Sequence, residues 1–255
     1  MIDWETKGEI ALATINRPER RNALDAEHCE TLRALLQEHV DVRAVVITGA
    51  GSAFCAGADL GTRFEDGHDA ADSGDPFHTV LQVLLEAVVD HPAPVLAAVN
   101  GPALGAGTQL ASVCDLRVAA RDAVFGVPAA RLGIMISAGS TERIARLVGL
   151  AAAQEMLLTG RRFDAAEALA MGLVHRVVDD ALADAVAWAD EVAALAPLSV
   201  RGHKRALNLV ARSGGLDDDA EAEIADLVER AVRSDDLREG VAAFAEKRAP
   251  VFRGR

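Results

Sequence analysis

The sequence is short of cysteine, of basic residues and of long apolar runs, and each shortage excludes something. Cys29, Cys55 and Cys114 are the only cysteines. They are odd in number and far apart, with no C-x-x-C and no histidine at ligand spacing. This excludes a disulfide framework and a zinc site and predicts buried thiols in a reducing compartment. No apolar run approaches the length of a membrane span. The opening Met1-Ile2-Asp3-Trp4-Glu5 lacks both the basic n-region and the apolar h-region of a leader, so a soluble, cytoplasmic protein is expected. Lysine and arginine number 26 against 39 acidic residues, for a net charge of −13 and a pI near 4.9. Such a surface repels phosphate backbones and argues against a nucleic-acid partner. An anionic small ligand would need a local basic cluster working against that field.

What is present is a chain of 255 residues, 51% of them apolar, enough for one to one and a half domains with a sizeable core. Strands and helices alternate through roughly the first two-thirds. Glu9 to Asn16 reads as a strand, and Asp25 caps a helix carrying Leu32, Leu35, Leu36 and Val40 at helical spacing. Val42–Thr48, Ala93–Val99, Leu116–Ala119 and the piece around Val124-Phe125 are short strands, which makes the class α/β. The segment from Gly61 to His78, rich in Gly, Asp and Ser, reads as a mobile loop. After Asp180 the strand signal stops and four helices are expected: 181–196, 198–210, 216–233 and 236–248. The last two carry apolar faces (Ile224, Leu227, Val228, Val232; Leu237, Val241, Phe244) suited either to a neighbouring subunit or to the chain's own sheet.

Two glycine-rich stretches carry the chemistry: Phe54-Cys55-Ala56-Gly57-Ala58-Asp59-Leu60 and Asn100-Gly101-Pro102-Ala103-Leu104-Gly105-Ala106-Gly107-Thr108-Gln109-Leu110. Each follows an apolar run and sits where helical patterning begins. A strand-to-helix junction leaves backbone N–H groups unpaired, with a helix dipole that favours negative charge. Two such junctions facing one another would make an oxyanion hole.

These stretches, together with Arg17-Pro18-Glu19-Arg20-Arg21-Asn22-Ala23-Leu24, Ile47-Thr48-Gly49, Cys114-Asp115-Leu116-Arg117 and Ala243-Phe244-Ala245-Glu246-Lys247-Arg248, resemble the enoyl-CoA hydratase/isomerase family, the crotonase superfamily. The match runs in register from about residue 5 to residue 255. The resemblance implies a crotonase-like spiral of β-β-α turns over residues 1–196, with a C-terminal helical trimerisation region over 197–255. It implies homotrimers, possibly stacked as hexamers, and no cofactor beyond the coenzyme A of an acyl-CoA or enoyl-CoA ligand. The backbone N–H groups of Ala58 and Ala106 would receive the thioester oxygen. Arg20, Arg21, Ala23, Ala56, Asp59, Leu60 and Gly105 would line the coenzyme A channel, and Phe244 and Lys247 would reach the nucleotide from an adjacent subunit.

The chain departs from the family where the family does its acid–base work. Hydratases use two glutamates, and here those positions hold Gln109 and Ala129. An amide holds a water by hydrogen bonds but takes no proton from it, and a methyl group does neither. Other candidate acids are Glu142 and, on the loop, Glu65, Asp66 and His68. Asp115 reads as a structural partner of backbone or arginine, and Leu132-Gly133-Ile134-Met135-Ile136 as an apolar wall for an acyl chain. Three functions follow: an acyl-CoA-binding protein with hydratase activity lost or weak, an active isomerase or hydratase/lyase with a relocated acid or base, and a purely structural oligomer.

Overall fold

The computed structural model describes residues 1–61, 76–212 and 216–255. A six-stranded sheet in the order β1-β2-β3-β4-β6-β9 forms the centre (β1 Ile2–Lys7, β2 Ile10–Ile15, β3 Ala44–Gly49, β4 Val95–Val99, β6 Leu116–Ala120, β9 Arg176–Val178). β1 and β2 are antiparallel and the other neighbours run parallel. A second, three-stranded sheet holds β5 (Ala103–Leu104), β7 (Val124–Gly126) and β8 (Phe163–Asp164). The helices are α1 (Ala26–Glu38), α2 (Pro76–Asp90), α3 (Ala106–Val113), α4 (Ala138–Thr159), α5 (Ala165–Ala170), α6 (Ala181–Ala193), α7 (Pro197–Arg212), α8 (Asp218–Arg233) and α9 (Asp235–Glu246). The run β4-β5-α3 followed by β6-β7-α4 is the expected repeating β-β-α turn.

Side chains of a strand alternate between faces, and the large sheet is covered on both. Ala11, Ala13, Ile15, Val45, Ile47, Val95, Ala97 and Val99 join the core that contains α1 to α4. Ile10, Ala44, Val46, Leu96, Ala98 and Val118 face α6, whose Ala181, Ala185, Ala189 and Ala193 recur every fourth residue on one stripe. β3 is therefore buried at every position, as a parallel strand between two layers must be.

Three local expectations need correction, and a fourth, Asp115 as a partner of backbone, holds with a lysine added. β1 was not anticipated, because only Ile2 and Trp4 among its six residues are inward and apolar while Asp3, Glu5 and Lys7 face solvent. Val40 lies beyond the end of α1 and is exposed. Most of the loop expected over 61–78 lies outside the described residues, and its last residues are helical, because α2 begins at Pro76, where the missing N–H costs nothing. Asp115 is held by backbone and by a lysine in place of an arginine: it accepts from Val95 N at 2.7 Å and sits 2.8 Å from Lys204 Nζ. Lys204, on α7, also reaches the carbonyl of Ala93 at 3.0 Å. Asn208 donates to Val89 O, and Arg201 donates to Val42 O, so α7 is fastened to the sheet layer. On α8 and α9, Val228, Val232, Leu237, Val241 and Phe244 remain exposed within the single chain.

The three cysteines are buried and unpaired, and desolvation pushes each thiol up to about 12. Among the described residues no cluster of metal-ligating side chains forms, and no helix is long and apolar enough to cross a membrane.

The junction of α3 with the first glycine-rich stretch depends on close backbone approach. A Cβ at residue 107 would be driven into the Cys55 carbonyl oxygen, whereas one at Gly139, in the first turn of α4, meets open space. Gly107→Ala is expected to lower stability by about 1–3 kcal/mol, and Gly139→Ala to raise it by about 0.5–1 kcal/mol. Urea titration of the two variants against the parent checks both signs.

Candidate active site

The two glycine-rich stretches meet at β5, which belongs to the second of them. On one edge β5 pairs with Cys55 in an isolated parallel bridge, with Leu104 N donating to Cys55 O at 2.9 Å. On the other edge β5 pairs with β7, and Gly105 N donates to Gly126 O at 2.8 Å. The 56–59 segment is fixed from its far side by the turn that follows Pro18. Ala56 N donates to Arg21 O at 3.0 Å, Leu24 N to Gly57 O at 2.8 Å, and Asp59 N to Leu24 O at 2.7 Å. In an extended chain successive backbone groups point to alternate sides. With Gly57 O and Asp59 N turned toward Leu24, the Ala58 N–H is turned toward β5 and α3.

Gly57 (φ 115°) and Gly105 (φ 55°, ψ −112°) adopt backbone conformations that side chains oppose. They also stand against each other: a Cβ on Gly57 would lie 3.1 Å from Leu104 O and 3.9 Å from Ala106 N. Ala106 is the first residue of α3, where a helix has no intrahelical acceptor for its N–H. Neither the Ala58 nor the Ala106 N–H donates to another described residue. Two free amides thus border one cavity of about 230 Å³.

Ala56, Ala58, Leu60, Gly105, Ala106, Gln109 and Ala129 all line this cavity. Gln109 is one helical turn past Ala106, on the same face of α3. It is 5% exposed, and its Oε1 is buried without a hydrogen-bond partner among the described residues. Leu132, Ile134, Met135 and Ile136 form the anticipated apolar wall, joined by Phe77 and Leu81 from α2. Among the described lining residues there is no carboxylate. Two charged or titratable side chains that the sequence did not single out are there, His78 on α2 and Arg162 just before β8. Nothing in Gly160-Arg161-Arg162-Phe163 distinguishes an arginine that lines a cavity from one that does not.

Other candidates lie elsewhere. Glu142, in the first turns of α4, pairs with Arg146 at 2.7 Å and lines a different cavity with Gln82 and Glu86. Glu65, Asp66 and His68 lie outside the described residues. Arg20 and Arg21 are exposed on the turn beside the 56–59 segment, with Ala23 buried behind them. Asp59 is buried and spans Arg17 Nη1 at 2.8 Å and the Gly61 N–H at 3.0 Å. Its carboxylate thus braces the segment that carries Ala58. Phe244, 88% exposed, and Lys247, the left-handed C-cap of α9, are on the helical end of the chain and not in this cavity.

The enoyl-CoA hydratase/isomerase family model matches residues 5–255. A probable enoyl-CoA hydratase of Mycobacterium leprae is 43% identical over 247 residues, covering 94% of each chain. The chain belongs to the enoyl-CoA hydratase/isomerase family. A putative enoyl-CoA hydratase/isomerase of Bacillus subtilis is 40% identical, covering 96% of this chain and 95% of its own. The crystal structure of an enoyl-CoA hydratase from Bacillus anthracis superposes with a TM-score of 0.90 at 34% identity, over 100% of this chain and 99% of that one. The crotonase fold expected from the sequence is therefore the fold of this chain, and the cavity at β5 lies in a protein of a family that acts on acyl-CoA thioesters.

Arg17 also reaches Asp25 at 3.3 Å, so one guanidinium serves two carboxylates beneath the 56–59 segment. Arg17→Met removes the guanidinium that pairs with both Asp25 and Asp59, and a loss of about 1–3 kcal/mol is expected. Thermal unfolding of this variant beside the exposed-site control Arg20→Met measures it. An equal effect for the two would show that Arg17 does not brace the site.

Proposed function

We propose that the chain binds fatty acyl-CoA thioesters, with the N–H groups of Ala58 and Ala106 receiving the thioester oxygen, and that hydratase activity is lost or weak. The observation that carries this reading is one cavity bordered by two free amides, with Gln109 and Ala129 lining it and no carboxylate among its described residues. Preorganised backbone donors in a water-poor site typically contribute roughly 3–4 kcal/mol each where negative charge develops on oxygen. They polarise a thioester equally well whether or not a reaction follows.

Hydration needs more than polarisation. One group must take a proton from water and another deliver a proton to the α-carbon, and a positioned acid or base typically supplies about 10²–10⁴-fold. Gln109 holds water without accepting its proton, and Ala129 offers nothing to either step. Coenzyme A enters as part of the ligand, along the turn with Arg20 and Arg21, which supplies the local positive charge an acidic protein needs for a phosphate-bearing molecule. The apolar side chains left exposed on α8 and α9 suit burial between subunits of a homotrimer.

A second reading, isomerisation with a relocated acid or base, rests on His78, whose imidazole lines the same cavity and carries both a donor and an acceptor nitrogen. The two readings part in one set of assays. Calorimetry is expected to show saturable binding of a long-chain acyl-CoA, and absence of heat beyond dilution would overturn both. Crotonyl-CoA hydration is expected to be near background in the parent and to rise at least a hundredfold in Gln109→Glu/Ala129→Glu. Hydration by the parent at rates ordinary for enzymes would overturn the first reading. A 3-enoyl-CoA isomerisation abolished by His78→Gln would establish the second.

A further inference from the structure

The cavity at β5 is lined mostly by apolar side chains, yet Arg162 and His78 also line it, in a protein with a net charge of −13. Arg161 and Arg162 are adjacent in sequence but differently placed. Arg161 is engaged by Glu155 at 2.8 Å and by Glu167, and it stacks on the Phe163 ring at 4.5 Å. Arg162, an exposed residue, lines the cavity and has no ion-pair partner among the described residues. His78, half-buried on α2, lines the same space and is likewise without one.

The sheet register says which end of a ligand they would meet. Across the small sheet the order is Cys55, β5, β7, β8. The amide of Ala106 follows β5, and the turn with Arg20 and Arg21 lies on the Cys55 side. Arg162 lies on the opposite side, because Phe125 pairs with Phe163 and the antiparallel register sets Gly126 against Arg162. A Cβ on Gly126 would stand 3.3 Å from Arg162 Cα, which confirms that register. Two inter-strand spacings, about 10 Å, separate Arg162 from the strand that leads to the amide pair. A thioester held at the amides with its coenzyme A leaving past Arg21 therefore sends its acyl chain toward Arg162. Ile134, Ile136 and Ala129 line the same cavity with apolar side chains.

Resting on the acyl-CoA reading above, we infer that the favoured ligand is an acyl-CoA whose acyl chain ends in a carboxylate, with Arg162 as its partner and His78 assisting. An arginine fork meets a carboxylate with two parallel hydrogen bonds, and Arg162 is exposed, so its guanidinium is open to a ligand's carboxylate. An apolar chain with an anionic end matches a lining that is mostly apolar and includes an arginine that the strand register sets about two strand spacings from β5.

The test compares hexanoyl-CoA with adipoyl-CoA, which have the same number of carbons and differ in the terminal carboxylate, by calorimetric titration of the full chain. Adipoyl-CoA is expected to bind the parent at least tenfold more tightly. Arg162→Gln should bring the two affinities within threefold of each other, and Arg162→Lys should keep part of the preference through its charge. If hexanoyl-CoA binds and adipoyl-CoA binds no better, this inference fails while the acyl-CoA reading survives. If Arg162→Gln weakens both ligands by the same factor, Arg162 meets the coenzyme A phosphates and the inference is likewise overturned. If neither ligand binds the parent, the acyl-CoA reading fails and takes this inference with it.

Discussion

The site depends on the backbone pairing of a strand only two residues long. Ala103 and Leu104 are bonded on one edge to Cys55 and on the other to Phe125 and Gly126. That arrangement brings the turn after residue 55 and the start of α3 face to face. It holds because nothing protrudes at the contact: Gly57 and Gly105 adopt backbone angles that a side chain opposes, and Gly107 lets α3 settle against the Cys55 carbonyl. Burial of the surrounding sheet on both faces stiffens this contact, since Phe54, Cys55, Ala103 and Leu110 are all inaccessible to solvent. The two free amides follow from the pairing. Gly57 O and Asp59 N are committed to Leu24, and a helix start leaves its first N–H without an acceptor.

On such a frame the chemistry is decided by a few side chains. Gln109 lies one turn along the helix that Ala106 begins, and Ala129 lies in the short helix after β7, so both positions face the space in front of the amides. The backbone frame is present, and no carboxylate is among the described residues that line the cavity. The proposed thioester binding needs only that frame, since electrostatic polarisation requires only oriented donors. Acid–base catalysis has no comparable tolerance, because it needs a titratable group within hydrogen-bond reach of the atom that gains or loses the proton.

Much of this was legible in the sequence. Strands β2, β3, β4, β6 and β7, helices α1 and α6 to α9, and the amide-bearing turns were readable because apolar periodicity and glycine placement are local signals. The apolar wall at Leu132 to Ile136 was readable for the same reason. β1 escaped because its burial comes from pairing with β2 and not from its own composition. Lys204 as the partner of Asp115, Arg17 as the partner of Asp59, and Arg162 at the cavity escaped because each depends on elements far apart in the chain. Arg161 and Arg162 are indistinguishable as letters, and only the strand register turns one toward Glu155 and the other toward the cavity.

The central claim is that two backbone amides, from Ala58 and Ala106, hold the oxygen of a thioester. Infrared difference spectroscopy of an acyl-CoA labelled with carbon-13 at the thioester carbonyl reads that contact directly. On binding, the carbonyl stretch is predicted to move to lower frequency and to narrow, as two fixed donors draw charge onto the oxygen. A bound ligand whose carbonyl stretch stays where it is in water would contradict the account.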